Sequence, residues 1–164
     1  ETAEDGIPNR AAFAAYLRGT AGGVAVAAGR LLGVGEAGLP ALRAISAAYG
    51  AAGVLRSVGA HAAQGRCLLP ADALAESGLA PEAVLRTPGS AGPAVRVLAA
   101  EAATALAASR DAARDLPRVA IAAALPVVLA RRDLARLAAG RPVATPRGLG
   151  DRLAVTMAGL RGRV

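Results

Sequence analysis

An all-α domain is what this chain predicts, on three observations. Apolar residues make up 54% of it but aromatic residues only 2%, so alanine dominates any interior it can form. Alanine is the best helix former, and its short side chain lets helices approach closely. Apolar residues recur at three- and four-residue intervals over long stretches, with prolines and glycines gathered between them. At 164 residues the chain reads as one domain spanning 1–164, able to bury roughly 70% of its unfolded surface in a single core.

Residues 1–8, with three acids, Gly6 and Pro8, read as a flexible lead-in, and Asn9 is placed to cap the first helix. From Arg10 to Leu32, the residues Phe13, Tyr16, Leu17, Thr20, Val24 and Leu31 recur at helical spacing. They predict one long amphipathic helix, softly interrupted at Gly22-Gly23 and ended by Gly33-Val34-Gly35. A second helix starts near Glu36 or Pro40 and runs through Leu42, Ile45, Tyr49 and Gly53 to Ser57 or beyond. Its Gly50 and Gly53 would let another helix come close. Asp72 to Ser77 forms a short helix with Gly78 as its stop, and Pro81 starts another turn to Arg86. Thr87 to Gly92 is the clearest linker, read as a loop within the fold rather than a domain boundary. Pro93 to Leu116 is again a long helix, Pro117 breaks it, and Val119 to Ala139 forms the next, kinked or restarted at Pro126. After a loop over 140–148, Leu149 to Arg161 makes a last helix with Leu149, Leu153, Thr156, Met157 and Leu160 on one face.

The formal charge of +7 comes from arginine alone, since the chain has no lysine. Lysine binds phosphate well as a point charge, so a codon bias explains its absence more simply than selection for a polyanionic partner. The arginines are spread along the chain, with Arg131-Arg132 the one adjacent pair, and no nucleic-acid partner is expected. Cys67 is the sole cysteine, which excludes an intrachain disulfide. It is expected to be a small half-buried hydrophobe rather than a thiol activated by Arg66. His61, the sole histidine, has no acid at ligand spacing, so no metal site is expected. Asp111 and Asp115 stand four apart, but Arg110, Arg114 and Arg118 would neutralise them in a solvated ladder. No signal peptide is read at the acidic start, and the apolar run from Val119 to Ala130 is too short to span a membrane. A hydrolase has no support, because neither GxSxG nor a phosphate-binding glycine loop occurs.

The stretch YGAAGVLRSVGAHAAQGRCLLPADALAESGL, from Tyr49 to Leu79, carries the motif content. It resembles the squalene/phytoene synthase family, whose catalytic members end a helix in Leu-Arg-Asp, place a second Asp four residues on, and continue with Gly-Arg-x-Tyr-Leu-Pro. Leu55, Arg56, Gly65, Arg66, Leu69 and Pro70 stand where that pattern wants them, but Ser57 and His61 occupy the two Asp positions. Carboxylates at i and i+4 lie on one helix face about 6 Å apart and can share magnesium ions that hold a diphosphate. A hydroxyl and an imidazole supply neither the oxygens nor the charge. AYLRGTAGGVAVAAGRLLG adds to the resemblance, which extends from Phe13 to Leu129.

The resemblance implies a helical bundle like the C-terminal half of the isoprenoid synthase fold, the N-terminal half having no counterpart here. It implies no catalytic residue, cofactor or metal, and a degenerate motif at Arg56, Ser57, His61, Gly65, Arg66, Leu69 and Pro70. An apolar groove at Tyr16, Thr20, Tyr49 and Gly53 would be retained. Leu55 to His61 is most similar to a non-catalytic branch typified by the mitochondrial complex I assembly factor of this fold. That branch implies an assembly factor or structural partner of a membrane-associated, respiratory complex, in the cytoplasm or mitochondrial matrix, with peripheral contact to the inner membrane left open. Two alternatives stay open: a subunit or fragment of an active prenyl-diphosphate-condensing synthase completed by another chain, and a non-catalytic isoprenoid or lipid binder.

Overall fold

Alanine-rich segments fold here into ten helices among the described residues, in a computed structural model that describes residues 6–109, 116–143 and 147–162. In chain order they are α1 (Arg10–Gly19), α2 (Ala21–Leu31), α3 (Leu39–Arg56), α4 (Val58–Ala63), α5 (Ala71–Glu76), α6 (Pro81–Arg86), α7 (Gly92–Ala108), α8 (Ile121–Ala124), α9 (Pro126–Ala138) and α10 (Leu149–Arg161). No strand occurs among the described residues, so the expected all-α architecture holds. The helix α3 is the axis of the bundle and packs on α1, α2, α7 and α9, while α7 and α9 pack on each other. Its Leu42 and Ile45 are fully buried, as are Leu74 of α5 and Leu134 of α9. Asn9 caps α1 as expected, its side-chain oxygen accepting from the Ala12 N–H at 2.9 Å.

The interruption expected at Gly22-Gly23 lies instead at Thr20, whose ψ of −89° leaves the helical range and whose hydroxyl donates to the Tyr16 carbonyl at 2.7 Å. The glycines serve packing. A Cβ on Gly22 would stand 2.8 Å from Arg43 Cγ, and one on Gly29 would stand 2.6 Å from Leu42 Cδ2. With its small residues turned to α3, α2 leaves Val24 and Leu31 exposed, so its inward face is not the one that the larger side chains suggest. The run Arg10–Leu31 is long and apolar enough to cross a membrane by length and composition, with a mean hydropathy of 1.2. Here it is two helices of the bundle, with Phe13, Leu17, Ala25 and Val26 in the core.

The segment Thr87 to Gly92, expected as a linking loop within the fold, is one: Pro88–Ala91 forms a 3₁₀ turn whose Ala91 is buried. Pro126 acts as expected by opening α9, but α7 ends at Ala108 rather than at the expected Leu116, and Pro117 precedes a 3₁₀ turn at Arg118–Ala120. Asp111 and Asp115 lie outside the described residues. Part of the lead-in is tied down: the Ala71 N–H donates to the Ile7 carbonyl at 2.9 Å and joins the start of the described chain to Pro70.

Candidate functional site

The degenerate motif sits at the α3–α4 junction. The helix α3 ends at Arg56, and Ser57 adopts φ −108° and ψ 17° before α4 begins at Val58. The His61 N–H still donates to the Ser57 carbonyl at 2.9 Å, so the two residues remain one helical turn apart across the break. Both are half-buried. His61 lines a narrow crevice with Val54, Val58, Cys67, Leu69 and Val84. The Gly-Arg turn closes α4: Gly65 has φ +70°, and the Arg66 N–H reaches back to the His61 carbonyl at 3.0 Å. This six-to-one bond requires a left-handed residue, which is the physical reason for glycine at this place in the motif. Leu69 and Pro70 are buried behind it. Burial pushes the Cys67 thiol up, more than the Leu69 backbone hydrogen bond lowers it, so Cys67 has no thiolate character to lend.

Two clefts open on the surface, of which the first borders this region. One, about 540 Å³, is bounded by Ile7, Pro8, Tyr16, Arg66, Cys67 and Leu85. The other, about 390 Å³, is an apolar groove between α1, α3 and α7, walled by Phe13, Leu17, Ala47, Ala51, Leu98 and Leu106. Of the four residues expected to form a groove, Tyr16 lines the first cleft, Thr20 and Tyr49 are exposed, and a Cβ on Gly53 would meet no atom within 4 Å. Tyr49 and Gly53 lie on the far side of α3 from the alanines that line the second cleft, as 100° per residue requires. Gly50 takes the close approach: a Cβ there would stand 2.8 Å from Ala21 Cβ.

The motif arginine leads to a cluster that the spacing of motifs does not reveal. Arg56 Nη1 is 3.9 Å from Asp133 Oδ2, and Asp133, only 2% exposed, receives two bonds of 2.6 Å from the Arg147 guanidinium. A second carboxylate, Asp151, is 3% exposed, accepts from Arg132 Nε at 2.7 Å, and has Arg136 and Arg147 within 3.7 Å. Burial raises the Asp151 carboxyl, but the Arg132 hydrogen bond and the charges of Arg136, Arg132 and Arg147 outweigh it and hold the group below the usual range. The hydrogen bond to Asp133 first of all raises Arg147 further above its ordinary value. Two carboxylates among four arginines form an anchor that joins α3, α9 and α10. The signal was available: Asp133 borders the stripe Val127, Ala130, Leu134 and Leu137, all of them buried.

With helical bundle and motif frame in place, the fold is that of the all-α isoprenoid synthase class. The family model described as squalene/phytoene synthase matches residues 2–158, and the chain belongs to that family. Neither a curated protein nor a solved structure matches it significantly.

Magnesium is the metal that the family implies, and the residues at the motif positions do not fit it. Ser57 and His61 offer one neutral hydroxyl and one imidazole, a poor donor set for a hard cation that favours carboxylate and water oxygens. Asp133 and Asp151 are committed to guanidinium groups. Among the described residues no group of three or more His, Cys, Asp or Glu is placed to hold a metal ion.

Proposed function

We propose that this chain is a catalytically inactive squalene/phytoene synthase-like protein that acts as an assembly factor or structural partner of a membrane-associated complex. A respiratory complex is the partner that the resemblance of Leu55 to His61 favours. The observation that carries the reading is the α3–α4 junction, where the frame of Arg56, Gly65, Arg66, Leu69 and Pro70 persists around Ser57 and His61. The Gly65 turn and the Arg56–Asp133 contact hold the shape of this junction without a carboxylate at either motif position, which suits a role in binding rather than in metal chemistry. Co-purification of the intact protein from its native host, with the partner chains identified and the complex rebuilt from purified components, tests the partner role. A defined complex that assembles less well without the protein is expected; assembly at an unchanged rate and yield contradicts it.

A second reading, a non-catalytic isoprenoid or lipid binder, draws support from the apolar groove of about 390 Å³ between α1, α3 and α7. Native mass spectrometry of the protein separates it from the scaffold. A prenyl or acyl chain retained in stoichiometric amount supports the binder, and a bare polypeptide mass supports the scaffold.

A further inference from the structure

The terminal helix α10 is mounted with its polar side inward. Asp151 is its buried residue, held by Arg132, Arg136 and Arg147, while Leu149, Leu153 and Leu160 on the opposite side are 77%, 64% and 76% exposed. At 100° per residue these leucines and Met157 form one stripe about 170° from Asp151. Arg152 and Arg161 border the stripe on its two sides, both exposed. At its C-terminal end Gly162 lies beside Arg118, whose Nε is 3.4 Å from where a Cβ would stand, so the exposed Arg118 sits at that end of the helix.

Charge is distributed to match. Residues 1–115 contain ten arginines and ten acids, whereas residues 116–164 contain nine arginines and two acids, so the net charge of +7 resides in the last third of the chain. Those two acids are Asp133 and Asp151, both buried. The surface around α10 therefore shows arginine without an exposed acid of its own segment. A leucine stripe bordered by arginines suits a helix lying in the plane of an anionic bilayer, where the apolar face enters the acyl boundary and the guanidinium groups reach the phosphates.

We infer that α10 seats this protein on an anionic phospholipid surface through Leu149, Leu153, Met157 and Leu160, with Arg118, Arg152 and Arg161 contacting the headgroups. The buried Asp151 anchor fixes the orientation, because it leaves the stripe no route back to the core. The inference deepens the membrane-associated part of the function proposed above, and vesicle binding can fail independently of complex assembly.

The test is flotation of the intact protein with phosphatidylcholine vesicles, with and without phosphatidylglycerol. Binding to the anionic vesicles is expected, with affinity falling as salt rises. Arg152→Gln with Arg161→Gln should weaken it about 25-fold, at about fivefold for each arginine near the surface. Leu153→Ser with Leu160→Ser should abolish it while leaving the far-UV circular dichroism unchanged, since both side chains are exposed. Equal binding to both vesicle types, or wild-type binding by the leucine variant, overturns the inference. So does a vesicle-free dimer by sedimentation velocity that the leucine variant dissolves, which would give the stripe to a second copy.

Discussion

Asp133→Asn is the substitution that tests the buried anchor most sharply. The side chain is isosteric, so packing around Leu134 and Ala130 is retained and the change is one of charge. In the native protein the carboxylate takes both Arg147 bonds at 2.6 Å and faces Arg56 at 3.9 Å. Removing one partner of a buried ion pair costs about 3–5 kcal/mol, because the other charge is left without compensation. Arg147 keeps 22% of its side-chain surface exposed and has Asp151 3.6 Å away, so it can re-solvate in part. That places the loss at the lower end, about 3 kcal/mol, or a fall in melting temperature of about 6–12 °C for a domain of this size. Urea denaturation should show a lower midpoint at unchanged slope. Asp133→Leu combined with Arg147→Met, which removes both charges and keeps apolar volume, should recover most of the loss. An Asp133→Asn protein within about 0.5 kcal/mol of wild type, the size of an ordinary surface change, would refute the reasoning.

The same geometry sets two further outcomes. Gly50→Ala should destabilise by about 1–3 kcal/mol, since its Cβ would meet Ala21 Cβ at 2.8 Å, whereas Gly53→Ala, with open space around it, should stabilise by up to about 1 kcal/mol. Thermal melts of the pair check this, and shifts of the same sign would contradict it. The depressed Asp151 carboxyl makes stability pH-dependent: its contribution is complete above the unfolded value of 3.8 and is lost as pH falls from there through the lower folded value. Denaturation midpoints should therefore decline more steeply below about pH 4 in wild type than in Asp151→Asn, which lacks this titration.

Much of the architecture was legible because it rests on local rules. Leu149 to Arg161 was expected as a helix and is one, and Pro117, Pro126 and Gly78 punctuate the chain where their backbone restrictions demand. What periodicity did not show was which side of a helix faces inward. In α2 the small residues pack on α3 and Val24 and Leu31 face out, because the depth of helix approach, set by Gly22 and Gly29, outweighs the burial of larger side chains. In α10 a buried carboxylate decides the orientation, and the leucine stripe points to solvent. The motif frame was equally plain, since the Gly65 turn and the His61-to-Ser57 hydrogen bond are local. The Arg56–Asp133–Arg147 contact joins residues 77 and 14 positions apart in sequence and emerges only when α3, α9 and the approach to α10 come together.

The proposed function stands or falls on whether Ser57 and His61 leave this chain without prenyl-transfer chemistry. Incubation of the intact protein, alone and with the chains that co-purify with it, with magnesium and radiolabelled farnesyl or geranylgeranyl diphosphate, followed by extraction of the products, decides it. No condensed prenyl product above the protein-free control is the predicted result. Magnesium-dependent formation of such a product, lost when Ser57 or His61 is changed to alanine, would contradict the proposal.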